Sequence, residues 1–305
     1  MGRETRGMSG LRIVAPAKIN WTLEVLRVRP DGYHEVRSVL QTIDLYDIVT
    51  LRDDRDLAIE LTGDVAARAG EDPERNLAYR AAAAFGARLR APHGVHITLE
   101  KRVPVAAGLG GGSSDASAVL RGLNVLWGEA QSELNLVEVA GEIGSDPPFF
   151  MIGGTALASG RGEQVQPLRD ALAPTIVLAT PPPAERGEKT ASMYAALTPD
   201  DYSDGDATIG VRETVEAGRL IADAALTNVF ERVVAAMQPE TANAMNALRA
   251  QGYAPHLCGS GPSFFLLAKD EGAIEAMSDR ITQLGFEPRI TRTLSRTDAT
   301  RIEPL

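Results

Sequence analysis

Residues 104–120, PVAAGLGGGSSDASAVL, place glycines and hydroxyl side chains directly before a run that favours a helix. Glycine lets a backbone approach a ligand closely, and the N–H groups at a helix N-terminus attract negative charge. This stretch therefore predicts an anion site with phosphate as the expected ligand. The residues expected to bind there are Pro104, Ala107, Gly108, Leu109, Gly110, Gly111, Gly112, Ser113 and Ser114. The two hydroxyls could cap the helix, or reach phosphate oxygens and a metal ion.

Two common phosphate loops do not fit this stretch. A Walker loop ends in Gly-Lys followed by Ser or Thr, and residues 104–120 contain no lysine. A dinucleotide loop requires glycine at its sixth position, which holds Ser113 when counted from Gly108. The alternative is a flexible linker or a plain tight turn. Linkers rarely lead straight into an amphipathic helix, so we favour the anion site.

Several segments, in order along the chain, resemble the motifs of one kinase family, the GHMP kinases. PVAAGLGGGSSDAS resembles their phosphate-binding motif. The further matching segments are APAKIN (15–20), RPDGYHEVRSVLQTIDLYD (29–47), IGSDPPFFMIGGTALASGRGE (143–163) and CGSGPSFF (258–265). They are most similar to the branch of the family that acts on the cytidyl diphosphate ester of methylerythritol. The resemblance implies a kinase that uses ATP and Mg²⁺ to phosphorylate the 2-hydroxyl of this small molecule, in the non-mevalonate isoprenoid pathway.

The same resemblance assigns catalysis to Lys18 and Asp146. Asp146 would orient the substrate hydroxyl and accept its proton, while Lys18 would hold Asp146 ionised beside the γ-phosphate. Taken alone, Lys18 would be a solvated surface charge and Asp146 a turn residue before Pro147. Asn20 lies two residues beyond Lys18 on the same strand face, and is a candidate substrate contact.

Candidate substrate contacts also come from a turn and from a second glycine loop. Tyr33 offers an aromatic face for cytosine, and His34 offers hydrogen bonds to the polar edge of the base. Without the resemblance, Tyr33 would pack on its turn and His34 would be an ordinary histidine. Tyr194 is a second aromatic candidate. Gly259 and Gly261 are expected to bring their backbone close to the substrate phosphates.

Six further positions are less directly tied to the reaction. Asn76 is either the cap of an alanine-rich helix or an adenine contact, and we favour the contact. Asp44 and Asp47 are expected to cap a turn rather than to touch ligand. Cys258 is expected to be a buried small residue, because phosphoryl transfer needs no thiol nucleophile. Val229 stands where an aspartate is expected in relatives, and Pro147 where a β-branched residue is expected.

Hydrophobic periodicity and turn residues predict the elements that position these side chains. Helices are predicted over 73–90, 114–128, 132–144, 211–224, 228–252 and 271–286. Strands are predicted over 13–26, interrupted near Pro16, and over 57–61, 94–105, 154–168, 175–183 and 255–269. Residues 198–210 are predicted to form a surface excursion.

This order of elements indicates an α+β chain in two lobes. We place an N-terminal, ATP-binding lobe over 1–163 and a C-terminal lobe over 164–305. The resemblance implies an N-terminal lobe like domain 2 of ribosomal protein S5 and a ferredoxin-like C-terminal lobe, with the cleft between them.

Composition excludes several classes of partner. The 305 residues carry a formal net charge of −10, which argues against a nucleic-acid binder. No apolar run approaches the roughly 20 residues of a membrane span, and residues 1–10 lack the apolar core of a signal peptide. A single cysteine leaves no internal disulfide and is typical of a cytoplasmic protein. The sequence leaves oligomeric partners open.

Overall fold

The computed structural model of the protein describes residues 10–66, 72–88, 94–128, 133–182 and 189–305. Residues 1–9 lie outside the described part of the chain, and so does position 183, the last of the strand predicted over 175–183. Among the described residues, the secondary structure divides between two β-sheets and the helices packed on them. The predicted α+β class in two lobes is confirmed.

The larger sheet, as described, is built on two long antiparallel strands, β1 (Leu11–Val28) and β2 (His34–Asp54). Its main path runs in the order β12-β1-β2-β4-β3, with β5 and β6 added beside β2 and β8 beside β1. The further strands are β3 (Leu57–Thr62), β4 (Gly94–Glu100), β5 (Thr155–Ser159), β6 (Gln164–Pro167), β8 (Thr227–Asn228) and β12 (Ile302–Pro304). The predicted lobe boundary after Glu163 stays a prediction.

The smaller sheet is antiparallel and has the order β11-β7-β10-β9 within the described residues. Its strands are β7 (Thr175–Thr180), β9 (His256–Leu257), β10 (Phe264–Ala268) and β11 (Glu287–Thr291). The two sheets meet through a shared apolar layer in which the rings of Trp21 on β1 and Phe265 on β10 lie edge to face, 5.7 Å apart. This packing holds the lobes against each other, so loops from both can share one site.

Helices cover the outer faces of the sheets. They are α1 (Leu77–Gly86), α2 (Gly111–Leu126), α3 (Glu133–Ile143), α4 (Pro147–Ile152), α5 (Lys189–Ala195), α6 (Asp206–Glu216), α7 (Val234–Met237), α8 (Pro239–Arg249), α9 (Glu271–Gln283) and α10 (Arg296–Ala299). The first three pack their apolar faces against β1, β2 and β4 in one hydrophobic core. Helix α2 runs through that core, and ten consecutive residues, Ser114–Leu123, are buried.

Proline changes the predicted elements at two places. The strand is not interrupted at Pro16, because a register shift between Pro16 and Ala17 absorbs the missing N–H within β1. Pro147 and Pro148 do not merely end the preceding helix. They form the first turn of α4, where the N–H of a residue has no helical partner and proline is tolerated.

Four predicted segments are divided more finely in the structure. The strand over 154–168 is the hairpin β5–β6, and the one over 255–269 is β9 and β10 on either side of a glycine turn. The helix over 228–252 separates into a 3₁₀ turn at Val229–Arg232 followed by α7 and α8, with Pro239 beginning α8. The surface excursion over 198–210 holds a 3₁₀ turn and the start of α6.

Candidate active site

A cleft of about 490 Å³ lies where the two glycine-containing loops meet. Helix α2 begins inside the first loop, at Gly111, so the glycines themselves form its N-terminus rather than preceding it. Gly110 has a φ of 72° and caps the helix without a side-chain hydrogen bond. The first N–H groups of α2 therefore remain available for a ligand in the cleft.

The structure places the residues of the predicted anion site in two groups. Most of them line the cleft, together with Asn76: Pro104, Ala107, Gly108, Gly110, Gly111, Gly112 and Ser113. Leu109 is buried, and its carbonyl accepts a hydrogen bond from the Lys18 N–H at 2.9 Å. Ser114 is buried too, and its Oγ has no hydrogen-bond partner within the described part of the chain.

Lys18 projects from β1 into the cleft and is held by a short chain of hydrogen bonds. Its Nζ donates to Asn20 Oδ1 at 2.8 Å, and Asn20 Nδ2 donates to Ser38 Oγ at 2.9 Å. Ser38 in turn donates to the Thr22 carbonyl at 2.5 Å. The predicted shared strand face of Lys18 and Asn20 is confirmed. No sequence pattern pointed to Ser38, which orients Asn20 from the neighbouring strand.

Asp146 lies at the N-terminus of α4 and lines the same cleft as Lys18. Its carboxylate makes no capping hydrogen bond to the helix, and no direct ion pair joins it to Lys18 among the described residues. Asp146 also acts electrostatically on Tyr194, whose hydroxyl pKa is raised chiefly by burial and secondarily by this carboxylate. The carboxylate is thus held near the aromatic side of the cleft and remains available to a substrate hydroxyl.

The second glycine turn, residues 258–263, is fastened to the first. A methyl group at Gly108 would lie 2.1 Å from the Cys258 carbonyl oxygen, and one at Gly259 would lie 2.8 Å from Lys18 Nζ. Only glycine permits this approach, because both positions also have positive φ. Asn228 Nδ2 donates to the Leu257 and Gly259 carbonyls, each at 2.9 Å, and so fixes the turn.

Of the three aromatic candidates, which we call the aromatic group, Tyr194 lines the cleft, whereas Tyr33 and His34 are not among its lining residues. The rings of His34 and Tyr194 stack with centroids 5.1 Å apart, which leaves no room for a base between them. Burial lowers the pKa of His34, so the imidazole is neutral at pH 7 and can both donate and accept. Tyr33 is 52% exposed, and its ring centroid lies 5.2 Å from the Cζ of Arg161, which lines the cleft.

Sequence reasoning missed a buried charge cluster behind the first loop. Lys101 Nζ donates to Asp47 Oδ2 and, at 2.7 Å, to Asp115 Oδ2. Asp47 lies within β2 rather than at a turn, and its Oδ1 accepts the N–H groups of Arg102 at 2.5 Å and Val103 at 2.8 Å. Asp44 is likewise in β2, where it pairs with an exposed arginine, Arg292. The expectation that both aspartates cap a turn was wrong, because β2 continues through both residues.

Burial and the second carboxylate decide the protonation of this cluster. Inside the protein the ammonium of Lys101 is shared by the carboxylates of Asp47 and Asp115. Burial raises the pKa of Asp115 to about 8. The same two carboxylates raise the pKa of Lys101, which stays charged. Asp115 Oδ1 is buried without a hydrogen-bond partner in the described residues.

The described residues hold no cluster of three or more His, Cys, Asp or Glu side chains that could bind a metal ion by itself. A Mg²⁺ ion bound with nucleotide phosphates needs only one or two protein oxygens, and Ser113 at the cleft wall and the unpartnered Ser114 Oγ are oxygens of the right kind. Cys258 is fully buried and its thiol pKa is raised to about 12 by burial, as expected of a residue that is not a nucleophile. No helix of the described residues is long and apolar enough to cross a membrane.

Comparison with known proteins gives consistent matches over most of the chain. The family models "GHMP kinases N terminal domain" and "GHMP kinases C terminal" match residues 76–154 and 211–286. A 4-diphosphocytidyl-2-C-methyl-D-erythritol kinase of Dehalococcoides mccartyi is 37% identical, covering 94% of this chain and 100% of the relative. One of Brevibacillus brevis is 42% identical, covering 87% and 89%. The crystal structure of a 4-(cytidine 5'-diphospho)-2C-methyl-D-erythritol kinase superposes with a TM-score of 0.73 at 31% identity, covering 93% of this chain and 99% of the other.

Proposed function

The chain belongs to the 4-diphosphocytidyl-2-C-methyl-D-erythritol kinases of the GHMP kinase family, and we propose that its cleft transfers the γ-phosphate of ATP to the 2-hydroxyl of that substrate. One observation carries the proposal. The helix N-terminus at Gly111, the ammonium of Lys18 and the carboxylate of Asp146 line a single cleft. An anion site, a cation and a proton acceptor are what phosphoryl transfer to an alcohol requires.

In the proposed reaction the substrate hydroxyl lies against Asp146. The oxygen of the hydroxyl forms a bond to the γ-phosphorus as the bond to the bridging oxygen of ADP breaks, and the proton passes to the carboxylate. Lys18, oriented by Asn20, offers its remaining ammonium protons to the charge that develops on the transferred group. The neutral alcohol becomes a good nucleophile only while its proton is being removed, so Asp146 acts as general base.

The glycine loop supplies the nucleotide end of the cleft. The free N–H groups at the start of α2 would bind the β- and γ-phosphates, and Asn76 would contact adenine from the wall of the cleft. Asn76 already caps α1, because its Oδ1 accepts the Ala78 N–H at 2.9 Å. Ser113 or Ser114 would hold Mg²⁺, which supplies neutralisation of phosphate charge when bound.

The aromatic group supplies the cytosine end. We assign cytosine stacking to Tyr33 and Tyr194 and hydrogen bonding to His34. A neutral imidazole, with one donor and one acceptor, matches the alternating donor and acceptor edge of cytosine better than a cationic ring does. The Gly259 and Gly261 backbone, which lines the cleft beside Lys18, would lie along the substrate phosphates.

The test is ADP release by the purified protein with Mg²⁺ and ATP, with three acceptors offered separately: the cytidyl substrate, homoserine and mevalonate. We expect turnover with the cytidyl substrate alone, because only that acceptor fills the aromatic end of the cleft. Phosphorus NMR of the product should show a new phosphomonoester beside the intact diphosphate. Faster turnover of homoserine or mevalonate would overturn the proposal.

A further inference from the structure

Arg161 lies at the tip of the β5–β6 hairpin, at the aromatic end of the cleft. The turn is tight, with positive φ at both flanking glycines, Gly160 and Gly162, and a hydrogen bond of 3.0 Å from the Gly162 N–H to the Ser159 carbonyl. The Val36 N–H donates to the Gly160 carbonyl at 2.7 Å, which ties the hairpin to β2. The backbone of Arg161 is therefore fixed relative to the strand that begins with His34.

The guanidinium of Arg161 contacts an aromatic ring and a backbone carbonyl, while the neighbouring Glu163 carboxylate accepts the Arg161 backbone N–H at 2.7 Å. Arg161 Cζ lies 5.2 Å from the centroid of the Tyr33 ring, and its Nη2 donates to the Gly141 carbonyl at 3.1 Å. No carboxylate forms an ion pair with it among the described residues. The nearby Arg27 and Arg29 differ, because both pair with Glu35.

The position of this charge matches the chemistry of the acceptor. Arg161 and Gly162 line the same cleft as Asp146 and Tyr194. The other cations that line it are Lys18, Arg75 and Lys101. Lys101 is committed to its contacts with Asp47 and Asp115, and Lys18 is assigned to the transferred phosphate. A half-buried guanidinium with unused donors is well suited to bind phosphate oxygens in a bidentate manner. The substrate of the proposed reaction carries a diphosphate between its cytosine and its reacting polyol.

We propose that Arg161 binds the diphosphate of the acceptor and thereby selects a nucleotide-linked polyol over a free one. The assignment rests on the proposed function, since it deepens the same site. The ring of Tyr33 holds the aliphatic stem and guanidinium in place, and the unused N–H groups face the phosphates. Arg161 is then a specificity-determining residue that touches substrate at a distance from the reacting oxygen.

The test compares binding of CDP and of cytidine by calorimetry in wild-type protein and in the Arg161→Gln and Arg161→Lys variants. We expect wild-type protein to bind CDP more tightly than cytidine, and Arg161→Gln to lose about 10- to 100-fold of that preference while its affinity for cytidine stays within threefold. Arg161→Lys should keep part of the preference. Arg292→Gln, which removes an exposed arginine outside the cleft, is the matched control and should change neither affinity.

Steady-state kinetics separates this role from a structural one. Arg161→Gln should raise KM for the cytidyl substrate at least tenfold, with kcat and KM for ATP within threefold of wild type. An unchanged ratio of CDP to cytidine affinity in Arg161→Gln would overturn the inference, as would an equal loss of affinity for both ligands. Wild-type turnover of the cytidyl substrate is measured independently, so failure of the proposed function is distinguishable from failure of the Arg161 assignment.

Discussion

Single residues in the cleft are held by hydrogen bonds that leave their reactive atoms free. Lys18 is oriented through Asn20 and Ser38, and Asp146 makes no capping bond despite its place at the start of α4. A pair of opposite charges in direct contact would have to separate before either could act on substrate. The arrangement instead leaves both charges available to the reacting groups between them.

This arrangement predicts that Lys18→Met and Asp146→Asn each lower kcat by about 10²- to 10⁴-fold, because each removes a charge that acts in the transition state. The Tm of each variant should stay within about 2 °C of wild type, since neither group is in a buried ion pair. Kinetics and scanning calorimetry on the same preparations check both statements. Asp44→Asn is the control, because it removes a half-buried carboxylate that lies outside the cleft and pairs with the exposed Arg292. A variant with near-normal kcat would remove its residue from the mechanism.

The Asp47–Lys101–Asp115 cluster sets a pH dependence of stability. Burial raises the pKa of Asp115 from 3.8 to about 8. Between these values the folded protein holds a proton that the unfolded chain has lost. The free energy of unfolding must therefore fall as pH rises through this range and level off above the folded pKa.

Asp115→Asn should remove this contribution, because an amide does not ionise. We expect its free energy of unfolding, relative to wild type, to rise by more than about 1 kcal/mol between pH 5 and pH 8. Urea unfolding at several pH values in this range measures it, with Asp44→Asn as the control. A difference between Asp115→Asn and wild type that does not change with pH would show that Asp115 is ionised throughout.

The sequence alone allowed residues within local motifs to be predicted as site residues. It did not reveal the residues from distant segments that contact them in the fold. Lys18 and Asn20 are two residues apart, so their shared face follows from strand geometry alone. Lys101 lies 54 positions from Asp47 and 14 from Asp115, and no local pattern joins the three. Arg161 belonged to a recognised segment, but its contact with Tyr33 depends on how the hairpin meets β2.

Among the elements, helix α2 depends on a residue type that weakens helices. Its first two residues are Gly111 and Gly112, although glycine costs about 1 kcal/mol relative to alanine inside a helix. A methyl group at Gly112 would meet only Leu77 Cδ1, at 3.7 Å, so packing does not require glycine there. The remaining reason is the ligand, because Gly112 lines the cleft where the phosphates would approach the backbone.

Gly112→Ala should therefore stabilise the protein by roughly 0.5–1 kcal/mol while raising KM for ATP at least tenfold. Gly210→Ala is the matched control. Gly210 is an exposed helical glycine in α6 with nothing within 4 Å of an added methyl group, so it should give a similar gain without a change in KM. Urea unfolding and ATP saturation curves measure the two effects. An unchanged KM in Gly112→Ala would place the phosphates elsewhere.

Turn and cap residues indicated that helices lie near the glycine loop and near Pro147, but they did not define where those helices begin. The sequence predicts the start of α2 at Ser114, after the glycines, because glycine is a poor helix former. In the structure Gly110 supplies a left-handed cap, and the helix begins at Gly111. Proline both stops a preceding helix and is tolerated in the first turn of the next, and sequence reasoning considered only the stop at Pro147 and Pro148. All six residues of α4 are buried. This packing, which depends on the assembled fold, stabilises a helix that begins with the two prolines.

In the whole molecule, the last described residues return to the sheet that carries Lys18. Strand β12 pairs with the start of β1, and the Leu305 N–H donates to the Gly10 carbonyl at 3.1 Å. Helix α10 packs against the end of α4, where a methyl group at Gly153 would lie 2.9 Å from Ala299 Cβ. The C-terminal segment thus supports both the edge of the larger sheet and α4, the helix that follows Asp146.

Ending the chain at Ser295, which removes α10 and β12, should therefore lower Tm by more than about 5 °C and lower kcat as well. The loss exposes the paired edge of β1, so increased aggregation is also expected. Glu303→Gln is the control, because it breaks only half-exposed ion pairs and should change stability by less than about 1 kcal/mol. Calorimetry, light scattering and ADP release follow the three quantities. A shortened chain with wild-type Tm and kcat would mean that α4 positions Asp146 without support from the C-terminal segment.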